Sequence, residues 1–216
     1  MNFVILGKQG CGKGTQAGLL AKKFDLEHID MGKSLREMAS LETPLAREIY
    51  HIQNVKHTLV PRKVLKEILN VKISSLPFKK GIVFDGAPRT VDQVEYMEEI
   101  LLSHGRKIDR VFYIDIPEEE SIKRTSQRWN CRKCDAVLIM GRNIKKEDDK
   151  CVKCGGEIFR RPDDTPNGVK KRLEVFKKET MPVLDHFKEK GILIKIDGMM
   201  PIKKVFEEIL KNIPVA

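Results

Sequence analysis

No run of about 18 apolar residues occurs in the 216-residue chain, which excludes a membrane-spanning helix. The opening Met1-Asn2-Phe3-Val4-Ile5-Leu6-Gly7 lacks the basic region and the apolar length of an export signal. It reads instead as a strand that begins almost at once, and the expected location is cytoplasmic. No internal repeat or low-complexity tract is present, which removes solenoids and compositionally disordered chains. An exposed heptad pattern is also missing, and with it any argument for coiled-coil assembly; a monomer is expected. Aromatic residues make up 6% of the chain and do not interleave with its basic stretches, so a stacking platform for nucleic acid is absent. No stable nucleic-acid partner and no membrane partner is expected.

The hydrophobic fraction of 41% suffices for a core, and the formal charge of +10 is basic. Between Ser121 and Pro162 lie twelve Lys and Arg against five Asp and Glu, so most of the excess is local. A local excess suits phosphate-binding arginines on a lysine-rich surface better than a nucleic-acid footprint. Short runs rich in Val, Ile and Phe, at Phe3–Leu6, Ile82–Phe84, Val111–Ile116 and Ile192–Ile196, read as strands buried on both faces. A weaker strand is expected at Glu27–Asp30. Helical patterns alternate with them at Gly12–Phe24, Arg62–Ser74, Val91–Ser103, Glu118–Arg128, Asn167–Glu189 and Ile202–Lys211, with Pro117 suited to a first turn. This alternation argues for an α/β fold, a parallel sheet flanked by helices. Residues 31–60 are helical with too few apolar residues for a core layer. Residues 129–162 are rich in Gly, Cys and charge, with short alternating pieces such as Ala136–Met140. Both read as insertions into one core.

Gly7-Lys8-Gln9-Gly10-Cys11-Gly12-Lys13-Gly14-Thr15 lies between the first strand and the first helix. Its Gly-x4-Gly-Lys spacing is the Walker A phosphate loop. Glycines let successive backbone N–H groups turn inward, and the helix N-terminus adds positive potential. Lys13 is then a mobile charge for the β- and γ-phosphates. Gly14 precedes Thr15, where the usual loop places a hydroxyl directly after the lysine. Cys11 reads as a passive small side chain, the alternative being a thiol activated by the helix N-terminus.

Asp85-Gly86-Ala87-Pro88-Arg89-Thr90 follows the strand at Ile82–Phe84. An Asp at a strand's C-terminal end faces the crevice where such sheets bind ligands. Arg89 offers a planar fork for a phosphate, and Pro88 stiffens its turn. Farther on, Cys131 and Cys134 form one pair with two residues between them, and Cys151 and Cys154 form another after sixteen intervening residues. Two such knuckles complete a tetrahedral, structural zinc site with no open position. Two disulfides in an exported protein are the alternative, which a cytosolic chain argues against. The zinc would crosslink an insert that lacks apolar residues for a core of its own. Arginines bracket it: Arg124 and Arg128, four apart and so on one helix face, then Arg161 and Arg172.

The loop, the Asp85–Thr90 run, the cysteine spacing with Cys154-Gly155-Gly156-Glu157, and the arginine pattern around Arg161-Pro162-Asp163-Asp164 together resemble the adenylate kinase family in its long, zinc-bearing lid form. The resemblance implies a P-loop NTPase-type, five-stranded parallel sheet with two inserted mobile subdomains that close on substrate. Residues 1–30, 61–124 and 163–216 would be the core, 31–60 the nucleoside monophosphate-binding insert, and 125–162 the lid. It implies reversible phosphoryl transfer from ATP to AMP giving two ADP, with Mg²⁺ accompanying ATP. ATP would meet Gly10, Cys11, Gly12, Lys13, Gly14 and Thr15, with Arg124 stacked on its adenine, Arg128 near the transferring group, and Met200 beside the base. AMP would meet Met31, Arg36, Thr58, Leu59, Val60, Gly86, Ala87, Pro88 and Arg89. Gln93 would read the acceptor base, and Arg161 and Arg172 would hold phosphate. Catalysis would rest on Lys13, Arg89, Arg128, Arg161 and Arg172, with Asp85 orienting a metal-bound water and Asp163 aligning Arg161 or Arg172. This chain departs from the family pattern at Met31 (usually Thr), Lys33 (usually Asp), Ala87 (usually Phe) and Trp129 (usually Arg). Val137-Leu138-Ile139 also replaces a Thr-Tyr-His run. A kinase for another nucleoside monophosphate, or a non-catalytic nucleotide- or RNA-binding protein, is the alternative.

Overall fold

The computed structural model describes residues 1–213, so residues 214–216 of the expected core segment lie outside the described residues. Five parallel strands form the central sheet: β1 (Asn2–Leu6), β2 (Glu27–Asp30), β3 (Ile82–Asp85), β4 (Arg110–Asp115) and β8 (Leu193–Asp197), in the order β2-β3-β1-β4-β8. Every residue of β1 is buried, because side chains alternate between two covered faces. Val4 and Leu6 join Ile29, Ile82, Phe84 and Val111 on one face. Phe3 and Ile5 join Val83, Phe112 and Ile114 on the other. Helices α4 (Arg62–Ser74), α5 (Val91–Ser103) and α8 (Met181–Glu189) cover the first face through Leu65, Leu69, Val94, Met97 and Phe187. Helices α1 (Lys13–Phe24) and α9 (Ile202–Lys211) cover the second through Ala17, Leu20, Val205 and Ile209. Each such side chain contributes about 1.5–3 kcal/mol by leaving water, so a carboxylate at Val4 would break the sheet's centre.

Helices α2 (Met31–Ala39) and α3 (Pro44–His51) follow β2. The Asp30 side chain caps α2 by accepting from the Lys33 N–H at 2.8 Å, and Thr43 caps α3 by accepting from Ala46 at 3.1 Å. This segment was expected to stand clear of the core, yet Met31, Leu35, Ile49, Ile52 and Val60 belong to the cluster on the first sheet face. Its apolar residues are few but come from successive short elements, each of which turns one or two of them inward.

Helix α6 is Glu118–Ser126, with Pro117 at its N-cap, one residue ahead of the expected first turn. It ends two residues before Arg128, which instead opens strand β5 (Arg128–Cys131). Arg124 and Arg128 therefore do not share a helix face. The chain leaves the helix because Trp129 and Cys131 are drawn into a small cluster with Ala136, Leu138, Ile144 and Cys151. Strands β6 (Val137–Ile139) and β7 (Ile158–Phe159) flank β5 in an antiparallel sheet of order β6-β5-β7. The cysteine-bearing segment thus has a core of its own, contrary to the sequence reading, and Trp129 is its largest member. Helix α7 (Pro166–Val175) runs toward α8, but a π turn at Phe176–Thr180 interrupts the single helix expected there. Among the described residues no helix is long and apolar enough to cross a membrane.

Candidate active site

The loop after β1 is shaped by what would collide with it. A Cβ on Gly10 would sit 3.1 Å from the Arg124 Cβ and 3.1 Å from the Thr125 hydroxyl, so α6 packs directly on the loop. Gly10 and Gly12 hold φ of 74° and 94°, values that favour glycine. The Ser121 hydroxyl donates to the Gln9 carbonyl at 2.6 Å. Lys8 donates to the Asp115 carboxylate and to the Ile116 carbonyl, both at 2.8 Å, fastening the loop to the end of β4. Burial alone would raise the Asp115 carboxyl, but hydrogen bonds from Lys8, Tyr113 and Lys195 hold it at about 2. Lys13 reaches back only to the Lys8 carbonyl, at 3.4 Å. Cys11 is buried, and burial pushes its thiol up despite the nearby lysine. That environment favours the passive reading of Cys11 over an activated thiol.

Asp85 ends β3 in register with Asp30 of β2. A Cβ on Gly14 would lie 3.0 Å from its carboxylate, so Asp85 stands against the phosphate loop, with His28 Nε2 at 3.7 Å on its other side. The turn beyond it holds Arg89. The Arg89 N–H donates to Gln93 Oε1 at 2.7 Å, and its side-chain Nε donates to the Gly86 carbonyl at 2.8 Å. Burial lowers the Arg89 guanidinium from its ordinary value, and Arg172 and Arg36 add repulsion while Asp85 opposes it. Ala87 and Val60 are buried beside this turn, whereas Thr58 remains exposed. Met31, expected against the acceptor, is buried in the core cluster.

Arginines from the cysteine-bearing segment and α7 meet around two carboxylates. Arg128 grips Asp164 through two bonds of 2.8 and 2.6 Å. Arg172 bonds Asp163 at 2.7 Å and Asp164 at 3.0 Å. The Asp164 side chain is wholly buried. Burial alone would raise its carboxyl, but Arg128 and Arg172 hold it below the ordinary range. Asp163 aligns Arg172 and not Arg161, whose Nε donates to Asn130 Oδ1 at 3.0 Å. Burial first, then repulsion from Arg128 and Arg36, brings the Arg161 guanidinium down to about 9. Arg124 pairs with Glu120 at 2.7 Å and donates to the Gly198 carbonyl at 3.1 Å, which joins it to the strip leading to Met200. Asp164, Asn130 and Lys8 were missed as positioning groups. The doubled Asp163-Asp164 beside an arginine-rich stretch was the one visible signal.

The four cysteine sulfurs lie within 4.8 Å of one another. Each knuckle turns an N–H toward its first sulfur, Lys133 to Cys131 at 3.3 Å and Lys153 to Cys151 at 3.4 Å. Each is followed by a left-handed residue, Asp135 and Gly155. Although burial opposes it, the backbone N–H groups of Cys134 and Lys133 pull the Cys131 thiol below its ordinary value, while hydrogen bonds among the sulfurs push the Cys134 thiol up. A tight set of sulfurs with N–H donors aimed at them fits a thiolate-bound metal ion. Across the cleft, Lys33 of α2 bonds Asp135 of the first knuckle. The Lys33 charge of α2 therefore meets the cysteine-bearing segment.

A family profile described as adenylate kinase matches residues 5–192. The chain is 39% identical over 209 residues to an adenylate kinase of Archaeoglobus fulgidus, covering 97% of this chain and 96% of the relative. It is 37% identical over 215 residues to one from Caldicellulosiruptor bescii, covering both chains in full. A Staphylococcus epidermidis adenylate kinase is 38% identical over 210 residues, covering 97% of each. With a phosphate loop, an Asp-Gly-x-Pro-Arg turn and an arginine cradle on a five-stranded parallel sheet, the chain belongs to the adenylate kinase family.

Proposed function

We propose that this chain catalyses reversible transfer of a phosphoryl group from ATP to AMP, giving two ADP. One observation carries the acceptor half. Among the described residues, Arg89 and Arg161 have no carboxylate within ion-pair distance, and burial depresses both guanidiniums. Cations drawn partly out of water with no direct ion-pair partner are costly, and a phosphate dianion between them would reduce that cost. Arg36, whose contact with Asp30 is 4.0 Å long, faces the same space from α2.

Phosphoryl transfer asks the protein for in-line placement and charge neutralisation more than covalent chemistry. Lys13 and the loop N–H groups would hold the donor phosphates, with Arg124 and the strip at Gly198–Met200 beside the donor base. Arg128 and Arg172, fixed by Asp164, would line the path of the transferring group. Arg36, Arg89 and Arg161 would hold the AMP phosphate. Mg²⁺, when bound with ATP, would neutralise phosphate charge, and Asp85, which stands against the phosphate loop, would orient a water of its shell. Cys131, Cys134, Cys151 and Cys154 would hold a zinc ion with a structural role. The core is residues 1–30, 61–124 and 163–216, and the inserts 31–60 and 125–162 close over it to exclude water.

The Arg89 N–H occupies the Gln93 carbonyl oxygen, which leaves the amide NH₂ as its free end. A donor there suits N1 of adenine and opposes the N1–H of guanine, which favours AMP. ADP formation from Mg·ATP with AMP, GMP, CMP and UMP in turn tests this. Turnover with AMP alone supports it, and preference for another acceptor overturns the assignment of the base pocket.

A further inference from the structure

The π turn at Phe176–Thr180 has an identifiable cause. Pro182 has no N–H to offer the preceding turn, and the Met181 N–H bonds the Phe176 carbonyl, five residues back. The widened turn redirects two side chains. A helical threonine usually returns its hydroxyl to a carbonyl three or four residues earlier. Thr180, 3% exposed, instead donates at 3.0 Å to the Arg89 carbonyl, 91 residues away in sequence. In its other two hydrogen bonds Arg89 is the donor, from its side-chain Nε to the Gly86 carbonyl within the turn and from its backbone N–H to Gln93 of α5. Thr180 adds a second tie, from the turn to the segment that joins α7 to α8. At the other end of the π turn, Phe176 stacks on Tyr113 with ring centres 6.3 Å apart, and Lys8 of the phosphate loop lies 6.0 Å from the Phe176 ring.

We propose that Thr180 is a positioning residue for the acceptor phosphate, acting through the Arg89 backbone, and that the π turn exists to place it. The inference rests on the reading of Arg89 as a contact of the AMP phosphate. One hydrogen bond is removed or kept in these variants, so the effect is modest and confined to the acceptor. T180V removes the hydroxyl at nearly constant volume, and T180S keeps it.

Steady-state constants for AMP and ATP, with melting temperatures, test the idea. The expected result is an AMP KM raised roughly three- to tenfold in T180V, an unchanged ATP KM, and recovery in T180S. T180A, smaller and so tolerant of folding, shows the same split. Equal changes in both KM values, or a T180S variant as impaired as T180V, overturn the proposal. An R89K variant serves as reference. If R89K is impaired for AMP and T180V is not, Thr180 alone is dismissed. If R89K keeps the wild-type AMP KM, the acceptor reading falls and the proposal falls with it.

Discussion

Replacing Asp164 with asparagine removes the charge on which two arginines converge. Three hydrogen bonds of 2.8, 2.6 and 3.0 Å meet on that carboxylate, whose side chain is wholly buried. Either orientation of the amide sets an N–H₂ group against a guanidinium N–H. Removing one partner of a buried ionic set costs about 3–5 kcal/mol, because the charges left behind are uncompensated. At about 2–4 °C per kcal/mol for a chain this long, the melting temperature of D164N falls by roughly 6–20 °C. If about 2–4 kcal/mol of the loss is also felt in the transition state, kcat falls roughly 30- to 1000-fold. The assay is ADP formation well below the variant's melting temperature, so that unfolding does not contribute. A folded D164N enzyme with kcat within about threefold of wild type would refute the claim that Asp164 aligns Arg128 and Arg172. The folded Asp164 carboxyl lies below its unfolded value. Its stabilisation is therefore full above the unfolded value of about 3.9 and is lost as pH falls through the folded one.

Asp115, held at about 2, follows the same sign. The difference in urea midpoint between wild type and D115N should be full above about pH 4 and shrink as pH approaches 2. Lys33 and Asp135 form an exposed pair across the cleft, about half-exposed on each side, so K33A should change the AMP KM by less than about fivefold, an effect that fades in 1 M salt. K33D sets like charges together and should be worse, and K33D/D135K should recover; equal KM values in K33A and K33D would dismiss the contact. Chelation should release one metal ion per chain and lower the melting temperature, with zinc restoring it. Full activity and an unchanged melting temperature in metal-free protein would contradict a structural ion.

The sheet was legible because Phe3–Leu6 and Val111–Ile114 are apolar on successive residues, which only strands covered on both faces require. The phosphate loop and the cysteine pairs were legible because their chemistry depends on spacing along the chain. What was missed depends on contacts between distant segments. Met31, Leu35 and Ile49 looked too sparse for a core, yet two separate helices turn them into the same cluster. Arg124 and Arg128 have helical spacing, but the burial of Trp129 ends the helix between them. Thr180 carries no signal in the sequence, because the contact that aims it at Arg89 joins residues 91 apart. The roles of Asp163 and Asp164 were divided by a neighbouring strand and helix, not by their sequence.

Phosphorus NMR of ADP alone, with Mg²⁺ and the protein, tests the central claim most directly. The account predicts that ATP and AMP appear together in equal amounts, and that a mixture of ATP and AMP relaxes to the same composition. Release of inorganic phosphate without AMP-coupled formation of ATP, or no change in zinc-replete folded protein, would contradict it.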